Sequence, residues 1–190
     1  MYRLTSQFAN RTVSAVAFPD SEKGPALSLY LEDFEINRTR RTRGRTIGEG
    51  DVSLFAGLVG DHNPLHVDEE FSRQSIFGGR VAHGPLVLST AIGLMSQLNW
   101  IDGTALGLLG VSWEFQAPVK LGDTISANVT PLEARPSKTP GRGILKIGFE
   151  VLNQNNEIVQ VGSIVLLMQR RPDQAKPRPE QPAKAGLAVP

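Results

Sequence analysis

The spacing of apolar residues predicts one long helix in the middle of the chain. Between residues 84 and 100, apolar side chains recur at intervals of three and four, and nearly every turn is apolar all round. Such a helix belongs inside a protein rather than on its surface. Pro85 stands where the first turn of a helix accepts proline, so the helix is expected to begin there.

The second half of the chain changes to a strand-like pattern. Partial alternation and many β-branched residues predict strands over 106–115, 124–132, 144–153 and 158–168. Asn155-Asn156 suits a hairpin turn, and 134–143, with two prolines and two glycines, predicts a mobile loop. One buried helix followed by four strands predicts an α+β fold, with an antiparallel sheet wrapped around the helix.

The first half shows weaker signals. Residues 29–36 predict a short extended segment, and 46–59 predict a helix with Asp51 in its first turn and Gly60 at its end. The Asn-Pro pair predicts irregular structure over 61–68. Residues 69–74 have room for one or two helical turns before Phe77-Gly78-Gly79 breaks them.

Composition narrows the class of protein. With 190 residues, 40% hydrophobic and 21% charged, the chain has room for one globular domain with a substantial core. Lys and Arg total 20 against 19 Asp and Glu, so net charge gives no reason to expect nucleic-acid or membrane binding. The absence of cysteine excludes disulfides, a cysteine nucleophile and thiolate metal sites, and it is compatible with the cytoplasmic location that we expect.

The two ends differ from the middle. We expect residues 1–27 to be poorly ordered or loosely docked, since they lack the continuous apolar core of a secretory signal. Residues 170–190 alternate prolines and charges, which predicts an extended, disordered tail. A single folded domain is therefore expected over 28–169.

The histidines concentrate next to the predicted central helix. His62 and His66 lie in the irregular segment 61–68, and His83 immediately precedes the helix. Histidine titrates near neutrality, and a neighbouring carboxylate such as Asp61 can fix its tautomer or share proton transfer. The turn between Asp61 and His66 contains Asn63-Pro64, so the two side chains can converge on a rigid backbone.

The start of the helix offers a second chemical feature. Free backbone N–H groups and the positive end of the helix dipole at His83-Gly84 can hold a developing oxyanion, and Gly84 lets a substrate approach closely. A second interpretation stays open, in which Asp61 caps a turn and His66 is a surface residue. Asp68 fits a helix N-cap better than a catalytic group. Metal binding by Asp61, His62 and His66 is not favoured, because no compact set of three or four ligands is evident.

Two consecutive motifs carry a family resemblance. GDHNPLHVDEEF followed by FGGRVAHGPLVLS resembles the MaoC-like (R)-specific enoyl-CoA hydratase family, and the resemblance extends over about 29–168. It implies a hot-dog fold, in which an antiparallel sheet wraps around the long helix and dimerisation joins two sheets. It also implies an acyl-CoA thioester substrate, a homodimer or higher homo-oligomer, and no cofactor beyond the coenzyme A of the substrate.

The resemblance also assigns roles to residues. Asp61 and His66 would together activate water for addition across a trans-2-enoyl thioester, and the Gly84 N–H would polarise the thioester carbonyl. Asn63 would orient the loop or the water, and His83 would support the loop. Two positions depart from the family pattern: Ile92 stands where some members have a serine, and Asn37 stands where glycine is usual.

Several weaker signals have open interpretations. The basic run 38–45 predicts a solvated edge strand or loop, although some of its arginines, or Lys138 and Arg142, could meet coenzyme A phosphates. Trp100, Trp113 and Phe115 are expected in the core or at a dimer contact. Leu86, Val87 and Ile92 are candidates to line an acyl tunnel, although a buried core role explains the same residues more simply.

Two other functions stay open at this level. A thioesterase on the same fold would direct the water at the carbonyl carbon instead of the β-carbon. A non-catalytic subunit would use the fold to bind acyl-CoA without turning it over.

Overall fold

The computed structural model describes residues 28–172, so the expectations for 1–27 and for most of the proline-rich tail lie outside the described residues. A 3₁₀ turn (Leu31–Asp33) comes first. The helices and strands then follow in chain order: β1 (Arg40–Arg41), β2 (Arg45–Thr46), α1 (Glu49–Val59), α2 (Pro64–Val67), α3 (Glu69–Arg73), α4 (Gly84–Ser96), β3 (Ala105–Phe115), β4 (Thr124–Pro136), β5 (Arg142–Leu152) and β6 (Ile158–Gln169).

The strands form an antiparallel sheet around one core. Their order is β1-β4-β5-β6-β3, and β2 pairs with β4 beside β1. One stripe of α4 is buried against the sheet, and it contains Leu86, Val87, Thr90, Ala91, Leu94 and Met95. The predicted α+β fold with a sheet around a buried helix is confirmed.

The central helix is less buried than its sequence predicts. Pro85, Ser89, Gly93 and Gln97 form an exposed line along α4. These residues are small or polar and recur every four positions, so the helix has a buried face and an exposed one. Within residues 28–172, no helix is both long enough and apolar enough to cross a membrane.

Half of the predicted loop over 134–143 is strand. β4 continues through Ala134, which pairs with Leu145, to Pro136, which pairs with Gly143. The connection is therefore only residues 137–141. β1 and β2 pair only with the first half of β4. In the second half, one side of β4 therefore has no partner strand, and a proline that lacks an N–H on that side breaks no hydrogen bond of the sheet.

The first half of the chain also departs from expectation at two places. The segment 29–36, predicted as extended, contains the 3₁₀ turn. The Asp33 carboxylate accepts the N–H of Tyr30, the residue before the turn, at 3.0 Å. The segment 61–68, predicted as irregular, contains α2. The helix ending at Gly60 is confirmed, and Gly60 takes the left-handed conformation (φ 77°) that suits glycine at a helix end.

The basic run forms the edge of the sheet, as predicted for a solvated edge strand. Its strands β1 and β2 have two residues each, and Arg41 donates to Ser126 Oγ at 3.1 Å and Asn156 Oδ1 at 2.7 Å. At the other end of the described chain, Arg170 and Arg171 are bonded to Glu32, so the first residues of the predicted tail contact the domain.

Candidate active site

A short polar loop between α1 and α2 carries the predicted dyad. Asp61 follows the last turn of α1, and its Oδ1 accepts the Asn63 N–H at 3.2 Å. Asn63 caps α2 by accepting the Leu65 N–H at 3.0 Å, and Pro64 occupies the first helical position. The Asn-Pro pair therefore sets where α2 begins, and α2 in turn carries His66.

His66 is held by the segment that leads to α4. Its Nδ1 lies 2.7 Å from the Val81 carbonyl oxygen, and Val81 N donates back to Leu65 O at 3.2 Å. A carbonyl can only accept, so we assign the proton to Nδ1. In neutral His66 the Nε2 atom then carries a lone pair, which is the form that a general base requires.

His83 is stacked on His66 at the bottom of the site. The two ring centroids are 3.8 Å apart with 29° between the planes, and His83 is only 1% exposed. Its Nε2 lies 3.0 Å from the Asp61 backbone oxygen, while its Nδ1 is buried with no hydrogen-bond partner in residues 28–172. The contacts of His83 thus join the Asp61 loop to the start of α4.

The side chains of Asp61, His66 and His83 form one cluster. One potential ligand atom from each lies within 4.8 Å of the others, and Asp61 Oδ2 is 4.0 Å from His83 Nε2. We expected no compact set of three metal-ligating side chains, and this expectation was wrong. The third member of the set is His83 rather than His62. The Asp61 carboxylate is half exposed, which gives water access to the cluster.

The cluster suits a bound water better than a metal ion. A histidine binds metal through a lone pair in its ring plane, so two histidines on one ion need planes that converge on it. The rings of His66 and His83 are instead stacked, with only 29° between their planes. Ligation of one ion by both would require a ring to rotate.

The beginning of α4 presents a single backbone donor. Pro85 has no N–H, and Leu86 N donates to His83 O at 3.0 Å. Within the described chain, the Gly84 N–H has no partner. An N–H at a helix N-terminus can stabilise negative charge on an oxygen. Gly84 therefore offers one free donor next to the histidine cluster.

A cleft of about 510 Å³ lies beside Gly84, and its walls are mainly apolar. Val87 lines this cleft, as expected for an acyl-binding residue, but Leu86 and Ile92 do not. Leu86 is a core residue, and Ile92 packs partly buried against the core. An apolar cleft that begins at a free N–H is the shape needed for a chain attached to a carbonyl.

Gly84 packs directly against the ring of Phe115, which leaves no room for a side chain. A Cβ on Gly84 would lie 2.8 Å from Phe115 Cε1, closer than real Cβ contacts. Phe115 is 56% exposed, so it is not a core residue, and it forms one wall of the cleft; the expectation of a dimer contact stays a prediction. The absent side chain at Gly84 thus makes room for this aromatic wall.

An ion-pair network holds the helices around the site. Arg80 donates to Glu49 of α1 at 2.9 Å and to Glu69 of α3 at 3.2 Å. These hydrogen bonds from the guanidinium hold the pKa of Glu49 and of Glu69 below the usual value for a glutamate. Arg80 precedes Val81, so the network also anchors the segment that binds His66.

Sequence reasoning missed Arg80 and Gln160. Gln160 is 2% exposed in β6 and lies on the cleft wall, where it contacts Gly84. The available signal was a lone amide within the apolar run 158–168. Asn37, which replaces the usual glycine, adopts φ 65°, a left-handed conformation that asparagine tolerates.

The comparisons with known proteins agree with this architecture. The family model for the MaoC like domain matches residues 33–148. The (R)-specific enoyl-CoA hydratase of Rhodospirillum rubrum is 36% identical over 112 residues, which cover 57% of this chain and 74% of that protein. The 3-hydroxybutyryl-CoA dehydratase of Methylorubrum extorquens is 34% identical over 137 residues, which cover 70% of this chain and 84% of that protein.

Solved structures show the same fold. The MaoC-like dehydratase from Rhodospirillum rubrum superposes with a TM-score of 0.68 at 30% identity, covering 76% of this chain and 99% of that one. A Mycobacterium tuberculosis protein with a double hot-dog fold superposes at 0.70 with 22% identity, covering 80% of this chain and 47% of that one. The expected hot-dog fold is therefore confirmed. The match of the family model to more than half of the chain shows that this protein belongs to the MaoC-like domain family.

Proposed function

We propose that the protein catalyses the reversible hydration of a trans-2-enoyl-CoA thioester to a 3-hydroxyacyl-CoA. The observation that carries this proposal is one juxtaposition. Asp61 and His66 converge with His83, whose neighbour Gly84 has a free N–H, and Gly84 lines an apolar cleft whose walls do not include the dyad itself. The hydratase and dehydratase named among the relatives act on thioesters of this class.

The proposed chemistry follows from the position of each group. His66 Nε2 takes a proton from a water that the Asp61 carboxylate orients, and the water oxygen bonds to the β-carbon. The electron pair of the double bond moves to the thioester oxygen, which the Gly84 N–H stabilises as an enolate. Collapse of the enolate takes the proton back from His66 onto the α-carbon, so one water is added and the site is regenerated.

The test uses crotonyl-CoA and two assays in parallel. Loss of enoyl-thioester absorbance without release of free thiol indicates hydration. Thiol release would assign thioester hydrolysis instead, and a folded protein silent in both assays across short, long and branched enoyl-CoAs would favour a non-catalytic binding role. Each outcome separates one of the three functions that the sequence leaves open.

Substitution of the dyad then tests the roles of its members. Asp61→Asn and His66→Asn are each expected to lower kcat by at least about 10²-fold, the usual contribution of a general acid or base. Asp68→Asn and His62→Asn are matched controls that should keep full activity. Asp68 caps α3 by accepting the Phe71 N–H at 3.0 Å, and asparagine caps helices equally well. Near-wild-type activity in either dyad variant would remove that residue from the mechanism.

We also propose that two copies of the chain associate through β3. This strand is the edge of the sheet opposite β1, and Leu106, Leu108, Leu109, Val111 and Phe115 on it are 43–56% exposed. A long edge strand with such apolar side chains is a surface that natural proteins cover. A second copy, paired along β3, would cover the backbone edge and the apolar side chains together.

A further inference from the structure

The cleft wall contains a buried amide that links the sheet to the start of α4. Gln160 Oε1 accepts the Trp113 Nε1–H at 2.9 Å, and its Nε2 donates to the Gly84 backbone oxygen at 3.2 Å. An amide that is 2% exposed is costly to bury unless its polar atoms are bonded. Both ends of Gln160 meet this condition, and one of them is the residue with the free N–H.

Trp113 is itself fixed in place. Its ring lies directly on the backbone of Gly162, where a Cβ would come within 2.2 Å of Trp113 Cε3, and it packs 5.2 Å from the ring of Phe149. This packing fixes the direction in which the indole N–H donates to Gln160. This orients the amide so that its oxygen faces Trp113 and its nitrogen faces Gly84.

The contacts of His83 fix one side of Gly84, and Gln160 adds a bond to Gly84 itself. The His83 ring is stacked on His66 with its Nε2 beside the Asp61 backbone oxygen, but it makes no side-chain capping bond to the helix. Glycine is the residue with the most backbone freedom. The side-chain bond from the sheet to Gly84 O therefore restricts the residue that carries the free N–H.

We propose that Gln160 is a positioning residue that holds the Gly84 N–H where the thioester oxygen becomes negatively charged. This inference rests on the proposed hydratase function. Gln160 acts through Gly84, so its loss should disturb the enolate-like transition state more than the binding of coenzyme A. The effect should therefore appear in kcat rather than in KM.

Two variants test the bond to Gly84. Gln160→Met removes the bonds to Gly84 and to Trp113 at similar volume, whereas Gln160→Glu is favoured at this buried position as the neutral acid, whose O–H can still donate to Gly84 O. Gln160→Met is expected to lower kcat for crotonyl-CoA by roughly 10-fold, since a displacement well below 1 Å costs less than the 10²-fold of a larger one. Gln160→Glu should lose less, and KM should stay within about twofold of the wild-type value in both. Full activity of folded Gln160→Met would overturn the proposal.

Asn128→Leu is the matched control. Asn128 is also a buried amide in the sheet, and it donates to Glu150 at 3.2 Å on β5, away from α4. This variant should change thermal stability without a matching change in kcat. An equal fall of kcat in Asn128→Leu would mean that Gln160 acts through general stability, which also overturns the proposal.

A readout independent of activity keeps the two proposals distinguishable. The amide signal of Gly84 in a proton–nitrogen NMR spectrum should shift or broaden in Gln160→Met and stay unchanged in Asn128→Leu. An inactive wild-type protein with this pattern would refute the hydratase function while leaving the Gln160–Gly84 contact supported. If the wild-type protein is active and substitution of Gln160 changes neither the Gly84 signal nor kcat, the positioning role alone is refuted.

Discussion

Replacing Gly84 with alanine should separate activity from stability. The new Cβ would lie 2.8 Å from Phe115 Cε1 and 2.9 Å from Cδ1, so the aromatic ring must move. The backbone at Gly84 is helical, and alanine can adopt it without strain. The methyl group would stand on the cleft wall, next to the free N–H. The perturbation is therefore confined to the position where we propose that the thioester binds.

The expected stability change is small because two effects offset each other. The Phe115 side chain is 56% exposed, so moving it forfeits only part of the 1.5–3 kcal/mol of a fully buried side chain, about 1 kcal/mol. Alanine is favoured over glycine by up to about 1 kcal/mol in a helix, and by less in the first turn. The net change should stay within about 1 kcal/mol, which corresponds to a Tm shift of roughly 2–4 °C or less.

Activity should respond far more. Loss of one donor to an oxyanion costs about 10²–10³-fold in kcat, and a methyl group that displaces the carbonyl from Gly84 N–H should approach the lower figure. We therefore expect kcat/KM for crotonyl-CoA to fall by about 10²-fold. The hydration assay gives this ratio, and thermal unfolding followed by circular dichroism gives the Tm.

The chain offers a matched control on the same helix. Gly93 is exposed in α4, and nothing lies within 4 Å of the position of an added Cβ. Gly93→Ala should raise stability by about 1 kcal/mol and leave kcat/KM unchanged. Wild-type kcat/KM in Gly84→Ala would refute the assignment of the oxyanion donor. A fall of Tm by more than about 8 °C would refute the estimate that Phe115 moves cheaply.

Two further substitutions test the surroundings of the site. Arg80→Met should lower the Tm at pH 7, because Arg80 lowers the pKa of Glu49 and of Glu69. A carboxylate with a lowered pKa stabilises the fold at pH values above its ordinary pKa of 4.5. This stabilisation is lost as the pH falls through the pKa of the folded state. Thermal unfolding should therefore show a gap from wild type that narrows below pH 4.5, and a constant gap would contradict the pairing. Val111→Lys should halve the mass measured by light scattering, since a charge on β3 blocks edge pairing, whereas Leu58→Lys on the exposed face of α1 should not. Equal masses for Val111→Lys and wild type would place any dimer contact elsewhere.

The long-range pattern of the fold was predictable because it depends on periodicity. The helical spacing in α4 and the alternation in β3 to β6 reflect burial against one core, and burial decides both elements. The loop over 134–143 is half as long as predicted, for a local reason. Proline ends a strand where its missing N–H would break a hydrogen bond to a neighbouring strand. The second half of β4 pairs with β5 on one side only, so proline does not end the strand.

The site was predictable residue by residue but not in its arrangement. The motif identified Asp61, Asn63, His66, His83 and Gly84, and the structure clusters the side chains of Asp61, His66 and His83. The stacking of His66 on His83 depends on the bond from His66 to the Val81 carbonyl. The spacing of these residues in the sequence does not predict that bond. The same is true of Gln160, which reaches Gly84 from 76 positions away. Such contacts follow from the sheet register, and the register was not available from the sequence.

The placement of β3 connects the proposed dimer to the proposed chemistry. This strand carries the exposed apolar edge, and it also supplies Trp113 to the Gln160 contact and Phe115 to the cleft wall. Phe115 pairs with Gln160 across the β3–β6 ladder, so a change in the edge strand passes directly to the residue that holds Gly84. An unpaired edge strand opens more easily than a paired one. A monomeric Val111→Lys variant should therefore lose kcat before it loses its fold, which would couple association to catalysis.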